Sequence, residues 1–209
     1  MAARKRQLLS RVPARSGAGK VRLWAVAVWL AVWQLAAMLL RQPLLLPMPL
    51  SVLRRLAELS VTASFWQRAG RSSARILTGF ALGCLSGVLL AVPAHAFRRV
   101  RELLYPLVAA VRSVPVASFI ILSMLWLNAR TLSVFIAFLI AFPPVYLGVL
   151  EGIGQTDPRL LEMAAAFQVP LLRQIGCIYF PSALPAFRTA VSLSIGMCWK
   201  AGAAAEIIA

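Results

Sequence analysis

Acidic residues are scarce in this chain. Six Asp and Glu stand against 22 Lys and Arg in 209 residues, a formal net charge of +16. There is one histidine, His95, and there are three cysteines, Cys84, Cys177 and Cys198. The cysteines are widely spaced, with no CxxC pair and no other metal-ligand spacing, so they read as small apolar side chains. His95 lies beside a basic stretch with no Cys, Asp or Glu next to it and reads as a loop residue rather than a ligand or a catalyst. No GxxxxGK[ST] phosphate loop occurs, so the chain lacks a nucleotide site of that kind. Together these absences argue against a metalloprotein and against an ATPase.

What the chain has in plenty is apolar sequence. Hydrophobic residues make up 61% and the mean hydropathy is +0.82, whereas soluble domains run at roughly half apolar. The apolar residues fall in long runs with few charges, the signature of membrane spans. In a soluble protein a charge of this size would point to nucleic acid. Here most of the cations sit in the gaps between apolar runs, where they act as an orientation signal, and nucleic acid is not expected as a partner.

Residues 1–22 carry seven basic residues and no acid, a segment expected to stay cytoplasmic. A first span is predicted at 23–40. The run is longer than a signal-peptide core, and no small-x-small cleavage site follows it. Pro43, Pro47 and Pro49 then interrupt the helix. From Ser51 a short amphipathic helix is expected, with Val52, Leu53, Leu56 and Leu59 on one side, suited to the membrane surface. A polar linker is expected to run to about Arg75. The second span, 76–94, carries Gly79, Gly83 and Gly87 at every fourth position, a pattern that lets helix backbones approach closely in lipid.

The third apolar stretch, 103–127, contains Arg112, Ser113 and Pro115. An Arg in the bilayer core must snorkel, pair or face water, and Pro115 favours a kink or break. Two readings stay open: a gate or pore wall, or an interfacial Arg112 before a helix that starts near Val114. The fourth span, 131–150, holds Pro143-Pro144, read as a second irregularity at depth. The fifth, 184–208, holds Lys200 and Glu206, which have no evident partner. Alternating sides puts 12 basic residues in 1–22, 95–102 and 151–183 and seven in 41–75 and 128–130. That bias places the N-terminus and 151–183 inside.

One stretch, Asp157 to Pro181, is a moderately polar island between two spans. Asp157 can cap a helix whose first residue is Pro158. Leu160, Met163, Ala164 and Phe167 then share one face, and Arg159, Glu162 and Ala166 another. Val169-Pro170 is expected to break this helix. Pro170 then opens a second one, ended by Phe180-Pro181. The alanines Ala164, Ala165 and Ala166 leave a smooth surface for a partner.

These residues resemble the EAA loop of permeases from binding-protein-dependent ABC importers. The family pattern is Glu-Ala-Ala, three residues, Gly, nine residues, Ile-x-Leu-Pro. Glu162, Met163 and Ala164 take the first three places, Gln168 stands at the Gly, and Ile178, Tyr179, Phe180 and Pro181 take the last four. The segments LLPMPLSVLRRLAEL, SSARILTGFALGCLSGVLLAV, LLYPLVAAVRSVPVASFIILSMLWL and DPRLLEMAAAF, in this order, resemble the branch that imports nitrate, taurine and aliphatic sulfonates. Two departures stand out: Met163, and Gln168 where Gly would permit a turn.

The resemblance implies an all-α membrane protein, a type I ABC importer (MetI-like) permease bundle with about five transmembrane helices present. Family members continue with a further loop and span, so the last one is expected to be missing here. It also implies a bacterial cytoplasmic (inner) membrane location. The partners implied are two copies of an ABC ATPase subunit, a second permease copy (a homodimer) and an extracytoplasmic solute-binding protein. The chain itself would bind no cofactor and catalyse nothing, with ATP and magnesium held by the ATPase. Asp157, Glu162, Met163, Ala164, Ala165, Gln168, Ile178 and Pro181 would form the ATPase-coupling loop. Arg112, Ser113 and Pro115 would form the gate. A small organic or anionic solute would cross the pore. The alternatives are a truncated, non-transporting membrane remnant or scaffold, and a stand-alone secondary transporter, which would need paired charges within the membrane.

Overall fold

The computed structural model describes residues 23–40, 42 and 45–209, so the basic segment 1–22, Arg41 and Pro43 lie outside the described residues. The described residues are helical, with no strand among them. Among the described residues four helices are long and apolar enough to cross a membrane, or five if a bent pair is taken as one span. Two compact units divide at Phe65 and Trp66.

The first unit holds α1 (Leu23–Leu40) and α2 (Pro49–Ser60). The indole Nε1 of Trp33 donates to the Pro47 carbonyl at 3.1 Å, which ties the connection back onto α1. Helix α2 opens on Pro49, where a missing N–H costs nothing. Its apolar residues Val52, Leu53 and Leu56 are exposed, as a helix lying on a membrane surface would require.

The second unit is a bundle built on α3 (Ala63–Ala96), α6 (Ala129–Gly154) and α9 (Phe180–Ile208), with α4 (Arg98–Ser113) and α5 (Val116–Ser123) against them. Small residues set the packing. A Cβ on Gly83 would lie 2.6 Å from the Ala141 Cβ, and one on Gly87 would lie 3.0 Å from the Tyr146 nitrogen. A Cβ on Gly79 would collide with the Val134 carbonyl. The glycine stripe is therefore the seam along which α3 lies on α6, the close backbone approach that small residues permit in lipid. On the other side of α6, a Cβ on Gly152 would fall 2.8 Å from the Ala183 Cα. The buried Cys198 thiol donates to the Ala137 carbonyl at 3.2 Å.

These contacts fix the direction of each helix. Arg75, Ser133 and Glu206 meet at one end of the bundle, while the rings of His95 and Tyr179 meet at the other, 6.3 Å apart. Helices α3 and α6 run from the first end to the second, and α9 runs back.

Several boundaries differ from the expectation. The polar stretch before Arg75 is helix, so α3 has 34 residues and is about 50 Å long, against a bilayer core of about 30 Å. Its first turns are amphipathic and carry no proline. The stretch predicted as one span over 103–127 is two helices, α4 and α5, meeting at 99°. Val114 between them is extended, as the residue before a proline prefers. Pro143-Pro144, in contrast, does not interrupt α6. Both prolines lie where α6 is packed by its neighbours (Pro143 is fully buried), and such packing tolerates proline inside a spanning helix.

Candidate coupling segment and solute path

Helix α6 ends at Gly154, and the chain turns sharply. The buried Thr156 hydroxyl donates to the Ile153 carbonyl at 2.7 Å, satisfying one orphan acceptor of the helix end. Asp157 follows as N-cap of α7 (Pro158–Ala166), its Oδ1 accepting from the Arg159 amide at 2.9 Å.

The end of α7 is a Schellman turn. The Val169 amide donates to the Ala164 carbonyl at 2.9 Å, and the Gln168 amide to the Ala165 carbonyl at 3.1 Å. That pairing needs one residue in the left-handed region, normally glycine. Gln168 occupies it with φ +49°, the only non-glycine positive φ among the described residues. Gln168 thus adopts the conformation that the family's glycine would allow, and the turn does not depend on Pro170 alone. The Gln174 side chain then reaches back to the Val169 carbonyl at 2.8 Å and braces the corner.

The second helix of the segment departs from expectation. It does not end at Phe180-Pro181. The short α8 (Leu171–Gln174) passes into a π-helical turn at Ile175–Tyr179 and on without a break into α9. Pro181 follows directly on the π turn, and a local π adjustment of this kind re-satisfies backbone groups that a proline frees inside a spanning helix. The candidate coupling segment is therefore an extension of α9, joined to α6 through α7.

Within α7 only Ala164 is buried, at 1% exposure. It and the buried Ile178 anchor the segment, while Glu162, Ala165 and Gln168 face outward. Leu160, Met163 and Phe167 are also exposed, Phe167 by 78%. With Leu171 and Leu172 they form an apolar surface that nothing among the described residues covers. Such a surface, flanked by Arg159, Glu162 and Arg173, is a candidate interaction site.

The predicted gate residues lie at the α4–α5 break. Arg112 is in the last turn of α4, where a cation suits the helix dipole, and forms no ion pair among the described residues. The Ser113 hydroxyl donates to the Ala110 carbonyl at 3.1 Å, and Pro115 caps α5. Arg112 lines two recesses. One, of about 460 Å³, is shared with Arg101, Tyr105, Ser113 and Tyr146. The other, of about 320 Å³, is shared with Phe119, Ile140, Pro143, Pro144 and Met197. The two prolines expected to interrupt the fourth span thus reach the same recess as Arg112.

Sequence reasoning missed Arg101 and Tyr105. Their signal was the spacing 101, 105, 112 on one helix, which repeats on one face. It also missed the partners of Glu206. Glu206 Oε1 lies 3.5 Å from Arg75 Nη1 and accepts from Ser133 Oγ at 3.1 Å. No group of three or more His, Cys, Asp or Glu that could hold a metal exists among the described residues.

Comparison with known proteins agrees with this architecture. The family described as "Binding-protein-dependent transport system inner membrane component" matches residues 79–209. The taurine transport system permease protein of Escherichia coli is 28% identical over 191 residues, covering 88% of this chain and 70% of that protein. The formylaminopyrimidine transport permease protein of Halalkalibacterium halodurans is 26% identical, covering 85% and 71%. The nitrate import permease protein of Synechococcus elongatus is 25% identical, covering 87% and 68%.

Proposed function

This chain belongs to the family of binding-protein-dependent transport system inner membrane components, and from that premise we propose that it is the pore-forming permease subunit of an ATP-driven importer for a small organic or anionic solute. The observation that carries this reading is the coupling segment. A capped helix stands at one end of the bundle with an exposed apolar face, joined by a short turn to α6 on one side and by the Gln168 turn to the α8–α9 rod on the other. Force applied to α7 passes directly into both helices, the kind of packed, two-state element through which conformational change is transmitted.

In this reading two copies of an ABC ATPase dock on α7 and its equivalent in a second permease copy. ATP and magnesium reside in those partners. A solute-binding protein delivers cargo at the opposite end, where Arg75 and Glu206 lie. Positive charge in 1–22 and 95–102 supports a cytoplasmic N-terminus and puts α7 on the cytoplasmic face of a bacterial inner membrane. Glu162 orients the docking surface. Arg112, Ser113 and Pro115 form the gate, because the α4–α5 break and the two recesses around Arg112 coincide there. Taurine and nitrate, named for two relatives, are the first solutes to try.

The test is reconstitution of the chain with its ATPase and binding protein in proteoliposomes. Uptake that needs ATP and is blocked by vanadate is expected, with the ATPase co-purifying. Uptake indifferent to ATP would replace this reading with a secondary transporter.

A further inference from the structure

The end of the bundle opposite the coupling segment holds a recess of about 240 Å³ lined by Arg68, Arg71, Ser72, Arg75, Ala129 and Glu206. Arg68, Arg71 and Arg75 are spaced i, i+3 and i+7 on α3, which brings them to one face of the helix. Glu206 is the single acid in the lining, and it is already engaged by Arg75 at 3.5 Å and Ser133 at 3.1 Å. The Arg71 Nε donates to the Gln67 carbonyl at 3.2 Å, which steadies that side chain and leaves its terminal nitrogens available. Neither Arg68 nor Arg71 forms an ion pair among the described residues. Three guanidiniums around one recess with one carboxylate leave a net positive charge in its lining.

We propose that this recess is an oxyanion-binding site, in which Arg68 and Arg71 take a sulfonate, phosphate or similar group while the Arg75–Glu206–Ser133 cluster forms its fixed floor. Guanidinium presents paired donors that match two oxygens of such a group, and these charge-assisted bonds are the strong ones. The helix-face spacing supplies two forks side by side. The proposal deepens the importer reading and rests on it for one point: the site lies at the mouth where cargo arrives. The oxyanion has two possible sources, the delivered solute and a lipid headgroup, and the chemistry is the same for both.

The test uses the full chain with its ATPase in phosphatidylcholine nanodiscs, with methanesulfonate as the free probe and phosphatidylglycerol as the lipid probe. Wild type is expected to bind methanesulfonate, and the double variant R68Q/R71Q to bind it at least about tenfold more weakly, the equivalent of one charge-assisted bond. R68K/R71K, which keeps the charge, should retain most of the binding. If added phosphatidylglycerol displaces methanesulfonate from wild type and is not retained by R68Q/R71Q, the site stands with lipid as its source. If wild type binds neither probe, or R68Q/R71Q binds both as wild type does, the site does not exist. ATP-driven uptake measured alongside separates the two levels. Wild-type uptake with unaltered binding in R68Q/R71Q sinks the recess alone. Binding in the recess without uptake by wild type sinks the importer reading alone.

Discussion

Arg75 and Glu206 are 131 residues apart in the chain and 3.5 Å apart in the structure, with side-chain exposures of 31% and 19%. This contact, completed by Ser133, joins α3, α6 and α9 at one end of the bundle. Either single change, Arg75→Gln or Glu206→Gln, leaves a sheltered charge without its partner. Each is expected to destabilise the bundle by about 1.5–3 kcal/mol, as hydrogen bonds to charged groups are worth. Thermal unfolding in detergent measures this, and the exchange R75E/E206R should recover part of the loss. Equal stability of the single variants and wild type would reduce the pair to a surface contact.

The seam between α3 and α6 predicts intolerance to size. Gly83→Leu must displace Ala141, whose Cβ leaves 2.6 Å for a Cβ at this position. Overpacking of this kind costs about 1–3 kcal/mol. Gly70, where a Cβ would meet nothing within 4 Å, is the control, and Gly70→Ala should be neutral or mildly stabilising. Lowered thermal stability for Gly83→Leu alone is the expected pattern.

The turn at Gln168 predicts a gain from glycine. At φ +49° an L side chain is strained, by roughly 1–2 kcal/mol. Gln168→Gly should raise stability by up to about that amount, and Gln168→Val should lower it, because a β-branched residue resists this region. Thermal midpoints give the order Gly, Gln, Val. The same order is expected in ATPase activity coupled to transport, since the turn sets the angle of α7.

At the gate, Arg112→Met removes the one cation shared by the two recesses. Uptake of an anionic solute should fall about tenfold or more, the effect of losing roughly 1.4 kcal/mol, with membrane insertion unchanged. Arg112→Lys should keep part of the rate. Unchanged uptake by Arg112→Met would remove this residue from the path.

The parts of the fold written in local pattern were legible. The apolar runs marked the helices, the four-residue glycine repeat marked a packing face, and Asp157-Pro158 marked the start of α7. The glycine place in the loop motif marked a turn, and Gln168, read as a departure there, makes that turn at φ +49°. What local pattern does not carry is the company a residue keeps. Pro143-Pro144 read as a break because proline removes donors, yet packing by neighbouring helices holds α6 continuous. Phe180-Pro181 read as a stop for the same reason, and the π turn at 175–179 carries the helix through. Glu206 read as unpartnered because Arg75 is distant in sequence. At Pro143-Pro144 and at Glu206 tertiary contact overrode a local rule.

The central claim is that α7 receives force from an ATPase. Glu162→Arg is exposed and leaves the buried anchor Ala164 in place, so insertion and folding should be unaffected. ATP-driven uptake into proteoliposomes containing the ATPase and binding protein measures the claim most directly. The account predicts that Glu162→Arg abolishes uptake and weakens co-purification of the ATPase. Uptake at the wild-type rate would contradict it.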